Sequence, residues 1–169
     1  MKFLGLLLTI LIFSCNSKNH KYFEYDEIEY YKNGITEEQS NEICGNQKKS
    51  KTDLQRMGII LGEIPKSIAD TSFVENLNSF GYSKSKINSK KFGRIDAIFT
   101  ERKHSELMAT GCIYVYRDIL VFRKKSKIIG IAKICFGCGS NVIVGTKSNT
   151  AEFGMSGDYE KLNGILNEK

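Results

Sequence analysis

The residues best suited to chemistry are four cysteines, Cys44, Cys112, Cys135 and Cys138, the last two forming Cys-Phe-Gly-Cys. Thiols in this number support several chemistries. An even set in an oxidising compartment forms structural disulfides, and four cysteines allow three connectivities. If the turn between the apolar runs 113–122 and 128–136 is centred on Lys125, Val121 faces Ile129 and Ile119 faces Ile131. The same count sets Val115 against Cys135, Lys133 against Arg117 and Cys112 against Cys138. Cys112–Cys138 is then the better-supported bridge, with Cys44–Cys135 as the remaining pair.

The alternatives stay open. A Cys-x-x-Cys turn is half of a four-thiolate zinc site, but Cys44 and Cys112 each stand alone. The two histidines, His20 and His104, sit at no ligand-like spacing. Thiol–disulfide exchange normally places the first cysteine at a helix N-terminus. Here Gly139-Ser-Asn-Val-Ile-Val144 follows, a loop and strand pattern, and the single proline, Pro65, precedes the motif. Free buried thiols serving as small core residues are a further reading, behind structural disulfides. Gly139 after Cys138 excludes covalent haem attachment.

Other polar residues invite less chemistry. Arg117-Asp118 interrupts an apolar run and reads as an exposed strand edge or bulge, the alternative being a buried ion pair or polar cleft. His104 lies in a charged stretch and reads as solvated. There is no phosphate-binding glycine loop, no His-Glu-x-x-His pattern and no carboxylate pair within an apolar segment. The tyrosines of residues 22–31 suit an aromatic edge strand, or a sugar or peptide contact face.

The elements that must position these residues follow from periodicity. Residues 21–31 half-alternate as a strand and end in the turn Lys32-Asn33-Gly34. Thr36 to Cys44 suits a short helix capped by Thr36, and 54–64 fits either a strand or a glycine-weakened helix stopped by Pro65. Ser72-Phe-Val-Glu75 is a capping-box pattern opening a helix that stops at Gly81. A second helix runs from Ser89 to about Thr100, with Phe92, Ile95, Ile98 and Phe99 on one face. From Ile113 the period becomes two, predicting a central antiparallel hairpin over 113–136 with helices on one side. Residues 142–144 add a short strand, and Ser156-Gly-Asp158 caps a C-terminal helix carrying Tyr159, Leu162, Ile165 and Leu166. The fold class is α+β: an antiparallel sheet centred on that hairpin, two preceding helices and a C-terminal helix packed on it.

Residues 1–15 give the address. Lys2 is followed by an apolar run from Phe3 to Phe13, too short to span a bilayer as a helix and the size of a signal-peptide core. The tail Ile12-Phe-Ser-Cys15 resembles the lipobox of bacterial lipoproteins, although Phe13 is larger than that pattern prefers. The resemblance implies cleavage before Cys15 and diacylation of its thiol, several acyl chains making a durable anchor. Residues 1–14 are then a signal peptide, 15–20 a lipidated tether and 21–169 a single α+β domain. Gly111-Cys-Ile-Tyr-Val-Tyr-Arg-Asp-Ile-Leu-Val-Phe122, followed by Lys133-Ile-Cys-Phe-Gly-Cys138, resembles a segment of small uncharacterised lipoproteins of Gram-negative bacteria. The architecture is loosely similar to accessory lipoproteins of the outer-membrane assembly machinery.

The net charge of +6 is scattered over short clusters such as Lys48-Lys49-Ser50-Lys51 and Lys84-Ser85-Lys86, which read as solvated loops. Nucleic acid is not an expected partner. The expectation is a lipid-anchored protein of the cell envelope, facing the periplasm or the cell surface. It would act as a non-enzymatic binding or accessory module, without cofactor, on an envelope protein or polysaccharide. The alternative is a thiol-based redox or zinc-binding protein using Cys135 and Cys138, with Cys44 and Cys112 completing the zinc ligands.

Overall fold

The computed structural model describes residues 20–103 and 111–168. The expected signal peptide, the acylated Cys15 and His104 lie outside the described residues. Five strands form one antiparallel sheet: β1 (Glu27–Asn33), β2 (Tyr82–Lys86), β3 (Asp118–Lys124), β4 (Lys127–Cys135) and β5 (Ser140–Val144), in spatial order β2-β1-β3-β4-β5. Among the described residues four α-helices accompany it: α1 (Glu37–Gly45), α2 (Lys51–Ile60), α3 (Phe92–Ile98) and α4 (Asp158–Asn167). The α+β class and the C-terminal helix stand as expected, except that Gly157 at φ +79° is the N-cap of α4 and no side chain caps it. No helix among the described residues is long and apolar enough to cross a membrane.

Both faces of the sheet are covered, not one. Along β1, β3 and β4 alternate residues point to opposite sides. Ile28, Tyr30, Leu120, Phe122, Ala132 and Ile134 pack with Ile95 and Ile98 of α3 and Leu162 and Ile165 of α4. Tyr31, Ile119, Val121 and Ile131 pack with Ile59 and Ile60 of α2 and with Phe73, Leu77 and Phe80. Central strands apolar on both faces require this sandwiching.

Several local expectations need correction. Of the region 54–64, residues 54–60 belong to helix α2, begun by a Ser50–Asp53 capping box upstream and ended at Ile60, before Pro65 is reached. The helix expected from Ser72 is two short 3₁₀ turns, Ser72–Asn76 and Asn78–Phe80, without a side-chain cap, although Gly81 at φ +90° does end it. Likewise 89–100 opens as a 3₁₀ turn before α3. β1 begins at Glu27 rather than Lys21, and its Asn33 extends beyond the expected end. Lys84 and Lys86 are not loop residues: they lie in the edge strand β2, whose polar side chains gave no periodic signal.

The hairpin also differs. β3 starts at Asp118, so 113–117 lie outside the sheet. The turn residues Lys125 and Ser126 both take positive φ, and the register slips between Phe122 and Arg123. Phe122 therefore faces Gly130, Val121 faces Ile131 and Ile119 faces Lys133, two residues from the simple count. Gly130 is required there because a Cβ would lie 2.2 Å from the Phe23 ring. Lys133 thus meets Ile119, not Arg117.

Candidate functional site

The cysteines converge where the sheet ends. β4 finishes at Cys135, which lies opposite Ser140 of β5 across a four-residue turn holding Cys138. The departing segment 111–117 is held beside that turn by a Cys112–Cys138 disulfide with a Cα–Cα distance of 6.1 Å. This is the bridge the sequence favoured. Cys44 and Cys135 are both free, Cys44 exposed on α1 and Cys135 buried, so the second bridge of the simple pairing does not form. Val115, which the simple count set opposite Cys135, is not in a strand; Cys135 pairs instead with Ser140 of β5.

Segment 111–117 is also fixed from its other side. The Tyr116 N–H donates to the Ile60 carbonyl at 2.8 Å, and the Tyr82 hydroxyl donates to the Tyr116 carbonyl at 2.6 Å. Arg117 Nε donates to the Ile35 carbonyl at 2.7 Å, and the Asn33 N–H to the Arg117 carbonyl at 2.8 Å. These bonds set the start of α1 against the same segment. Thr36 caps α1 through Gln39 in a reciprocal pair of backbone–side-chain bonds.

Between α1, this segment and the β4–β5 turn lies a cavity of about 370 Å³. Glu37, Ser40 and Asn41 line it from α1, and Val115 and Arg117 from the segment entering β3. Cys112, Cys135 and Cys138 line it together. Cys135 and Cys138 are buried at 3% and 7% exposure in a small cluster with Tyr116. Cys112 is exposed, and the next two residues present large apolar surface to water: Ile113 is 67% exposed and Tyr114 40%. The site therefore combines a polar wall, a sulfur-lined floor and an apolar lip. Sequence reasoning gathered three of the cysteines but missed the contribution of α1, which no local pattern links to residue 112.

Arg117 and Asp118 do not pair and do not form an exposed edge. Arg117 precedes β3 and bonds to the Ile35 carbonyl, whereas Asp118 opens that central strand. Asp118 is buried and accepts a 2.5 Å hydrogen bond from the Tyr30 hydroxyl. Burial pushes its carboxyl above the ordinary range, the Tyr30 bond acting in the opposite sense. It does not line the sulfur-bearing cavity.

Lys133, two residues before Cys135 on the same strand face, is 0% exposed. Its ammonium reaches the end of α2, donating to the Gly62 and Ile64 carbonyls at 2.7 Å each and to Gly58 at 3.4 Å. It also lies 4.4 Å from the centroid of the Tyr116 ring. Burial pulls its pKa down to about 7, with the charge of Glu63 acting upward. A cation at a helix C-terminus meets the negative end of the macrodipole and carbonyls that have no intrahelical donor. Lys133 is therefore a clasp between β4 and α2.

Among the described residues no three His, Cys, Asp or Glu side chains are grouped to hold a metal ion. His20 is exposed. Tyr22, Tyr30 and Tyr31 are core residues, which leaves no aromatic contact face on β1. No family model matches this chain, and neither does any curated protein or solved structure.

Proposed function

We propose that this chain is a lipid-anchored protein of the bacterial cell envelope whose domain is a non-enzymatic binding module, with the disulfide-bordered cavity as its contact site. The observation that carries the binding role is the lip. Ile113 and Tyr114 stand exposed beside a polar cavity, on a segment held by a disulfide and by backbone bonds to β1 and α2. Rigidly held apolar side chains beside polar groups favour recognition, because little freedom remains to be lost on binding. The disulfide is in keeping with an exported chain, and the lipobox-like tail ending at Cys15 offers the thiol that acyl chains would anchor. A protein segment or polysaccharide of the envelope is the expected ligand.

Two measurements test this. Intact mass and labelled fatty-acid incorporation of material from a bacterial host should show cleavage before Cys15 and acylation, both lost in Cys15→Ser. An unacylated full-length chain would overturn the anchor. A photo-crosslinking residue at Tyr114 should give a discrete adduct in intact cells, absent when the probe replaces exposed Leu54 on α2. Equal adducts at both positions, or none, would overturn the binding site.

A further inference from the structure

Cys135 is poorly placed for an inert core thiol. Its neighbours on the same face of β4, Lys133 and Ile131, are covered by α2 and the second core, whereas Cys135 lines the cavity. Both residues of the disulfide line the same cavity, and Cys138 shares a buried cluster with Cys135 and Tyr116. Two residues separate Cys135 from Cys138 within one turn, a spacing that allows a bridge. Three sulfurs thus share one cavity with one disulfide among them, so two arrangements of that bond compete for Cys138.

We infer that Cys135 is the nucleophile of an internal thiol–disulfide exchange that moves the bridge from Cys112–Cys138 to Cys135–Cys138 and liberates the Cys112 thiol at the exposed lip. The Cys135 thiol gives its proton to water and its thiolate attacks Cys138 Sγ. The new S–S bond forms as the Cys112–Cys138 bond breaks. Cys112 Sγ leaves with the electron pair and takes up a proton. One disulfide and one thiol are present before and after, so no outside oxidant or reductant enters. The exchange unties residues 111–117 from the β4–β5 turn while their bonds to Ile60, Tyr82 and Asn33 remain. It would therefore change the lip bearing Ile113 and Tyr114 without opening either core. The regulatory consequence rests on the reading of this cavity as the binding site; the sulfur chemistry does not.

The test uses the purified full chain carrying Cys44→Ser, which removes the exposed thiol on α1. Incubation with a maleimide is followed by trypsin cleavage and non-reducing mass spectrometry. Cleavage after Lys103, Arg117, Lys133 and Lys147 puts Cys112 on peptide 104–117 and both other cysteines on 134–147. Exchange converts the cross-linked peptide pair into a singly labelled 104–117 and an unlabelled, internally bridged 134–147. This product should accumulate with time, and Cys135→Ser should slow Cys112 labelling by more than about tenfold. As a second arm, Cys112→Ser oxidised with glutathione disulfide should yield an internally bridged 134–147. Label confined to Cys135 on a persistently cross-linked pair would overturn the inference. So would equal Cys112 labelling in Cys135→Ser, or two alkylatable thiols in oxidised Cys112→Ser. Loss of the Tyr114 adduct with exchange intact would instead count against the binding reading alone.

Discussion

The pH dependence of stability should be dominated near neutrality by one buried amine. Lys133 titrates near 7 in the fold and near 10.5 when solvated, because burial disfavours the ammonium. Between these values the unfolded chain holds a proton that the native chain has partly released. Stability therefore rises as pH rises through this window; the penalty is largest below 7 and disappears above 10.5. The limiting slope is about 1.4 kcal/mol per pH unit. Between pH 7 and 9 the gain from this group is about 2 kcal/mol. Tyr22 and Tyr159, raised to about 12 by burial, begin to oppose it only above the ordinary tyrosine value of 10, so the interval stays clear of them. Lys133→Met keeps the length and removes the proton. It also removes the ammonium from the Gly62 and Ile64 carbonyls, while Gly58 keeps the Ile64 N–H, an offset largely common to both pH values. Urea denaturation of both proteins at pH 7 and 9 reads the difference of differences. The wild-type midpoint should climb by on the order of 1 M relative to the variant. Lys133→Arg, which keeps a non-titrating cation, should likewise lose the climb and serves if the methionine variant does not fold. Parallel pH dependences in all three proteins would refute the reasoning.

Two further outcomes follow from the same face of the sheet and from its edge. Glu29 is buried between Lys84 and Arg123 at 2.5 and 2.9 Å; burial works against its charge, but hydrogen bonds from these two cations outweigh it and hold the carboxyl below its ordinary range. Its stabilising contribution is present above the unfolded carboxylate value and lost as pH falls through the lower folded value. Glu29→Gln should cost about 2 kcal/mol at pH 7, less than a fully buried pair because both cations are partly solvated, and should flatten the acid limb of a thermal-stability profile. Gly145 follows β5 at φ +97°, and a Cβ there would meet the Ile129 carbonyl oxygen at 2.2 Å. Gly145→Ala should lower stability by about 1–3 kcal/mol in calorimetry, while Gly93→Ala, which meets no atom within 4 Å, should not.

Legibility of the chain depended on whether a residue's determinants were local. Thr36 marked α1, and apolar spacing marked α3 and α4, because caps and amphipathic stripes are written within a few residues. β2 carried only Tyr-Ser-Lys-Ser-Lys, and its strand form comes from pairing with β1 some 50 residues earlier. The offset in the β3–β4 register comes in two steps, a turn of Lys125 and Ser126 rather than one centred on Lys125, and a bulge between Phe122 and Arg123. Beside that bulge the Phe23 ring, more than 100 residues away in the chain, fills the space over Gly130. Of the site, the Cys112–Cys138 contact survived that error because both cysteines lie outside the strands, where the chain can adjust to bring them together. Lys133 was visible as a charge inside an apolar run. Its partners, carbonyls at the end of α2, were not, since backbone acceptors leave no mark in a sequence.

Ile131, Lys133 and Cys135 share one face of β4, and their surroundings change steadily along it. Ile131 is sealed in the second core, Lys133 closes that core by bonding to α2, and Cys135 stands beyond the closure in the cavity. The clasp explains why chemistry at the sulfurs need not spread. Segment 111–117 is tied to the core side through Tyr116, whose N–H bonds to α2 and whose ring lies over the Lys133 ammonium. Rearranging the bridge at Cys112 acts on the far side of that tie. A domain built this way can vary its sulfur-lined lip while the sheet, the helices and their packing stay as they are, which is the separation a contact site on a stable scaffold requires.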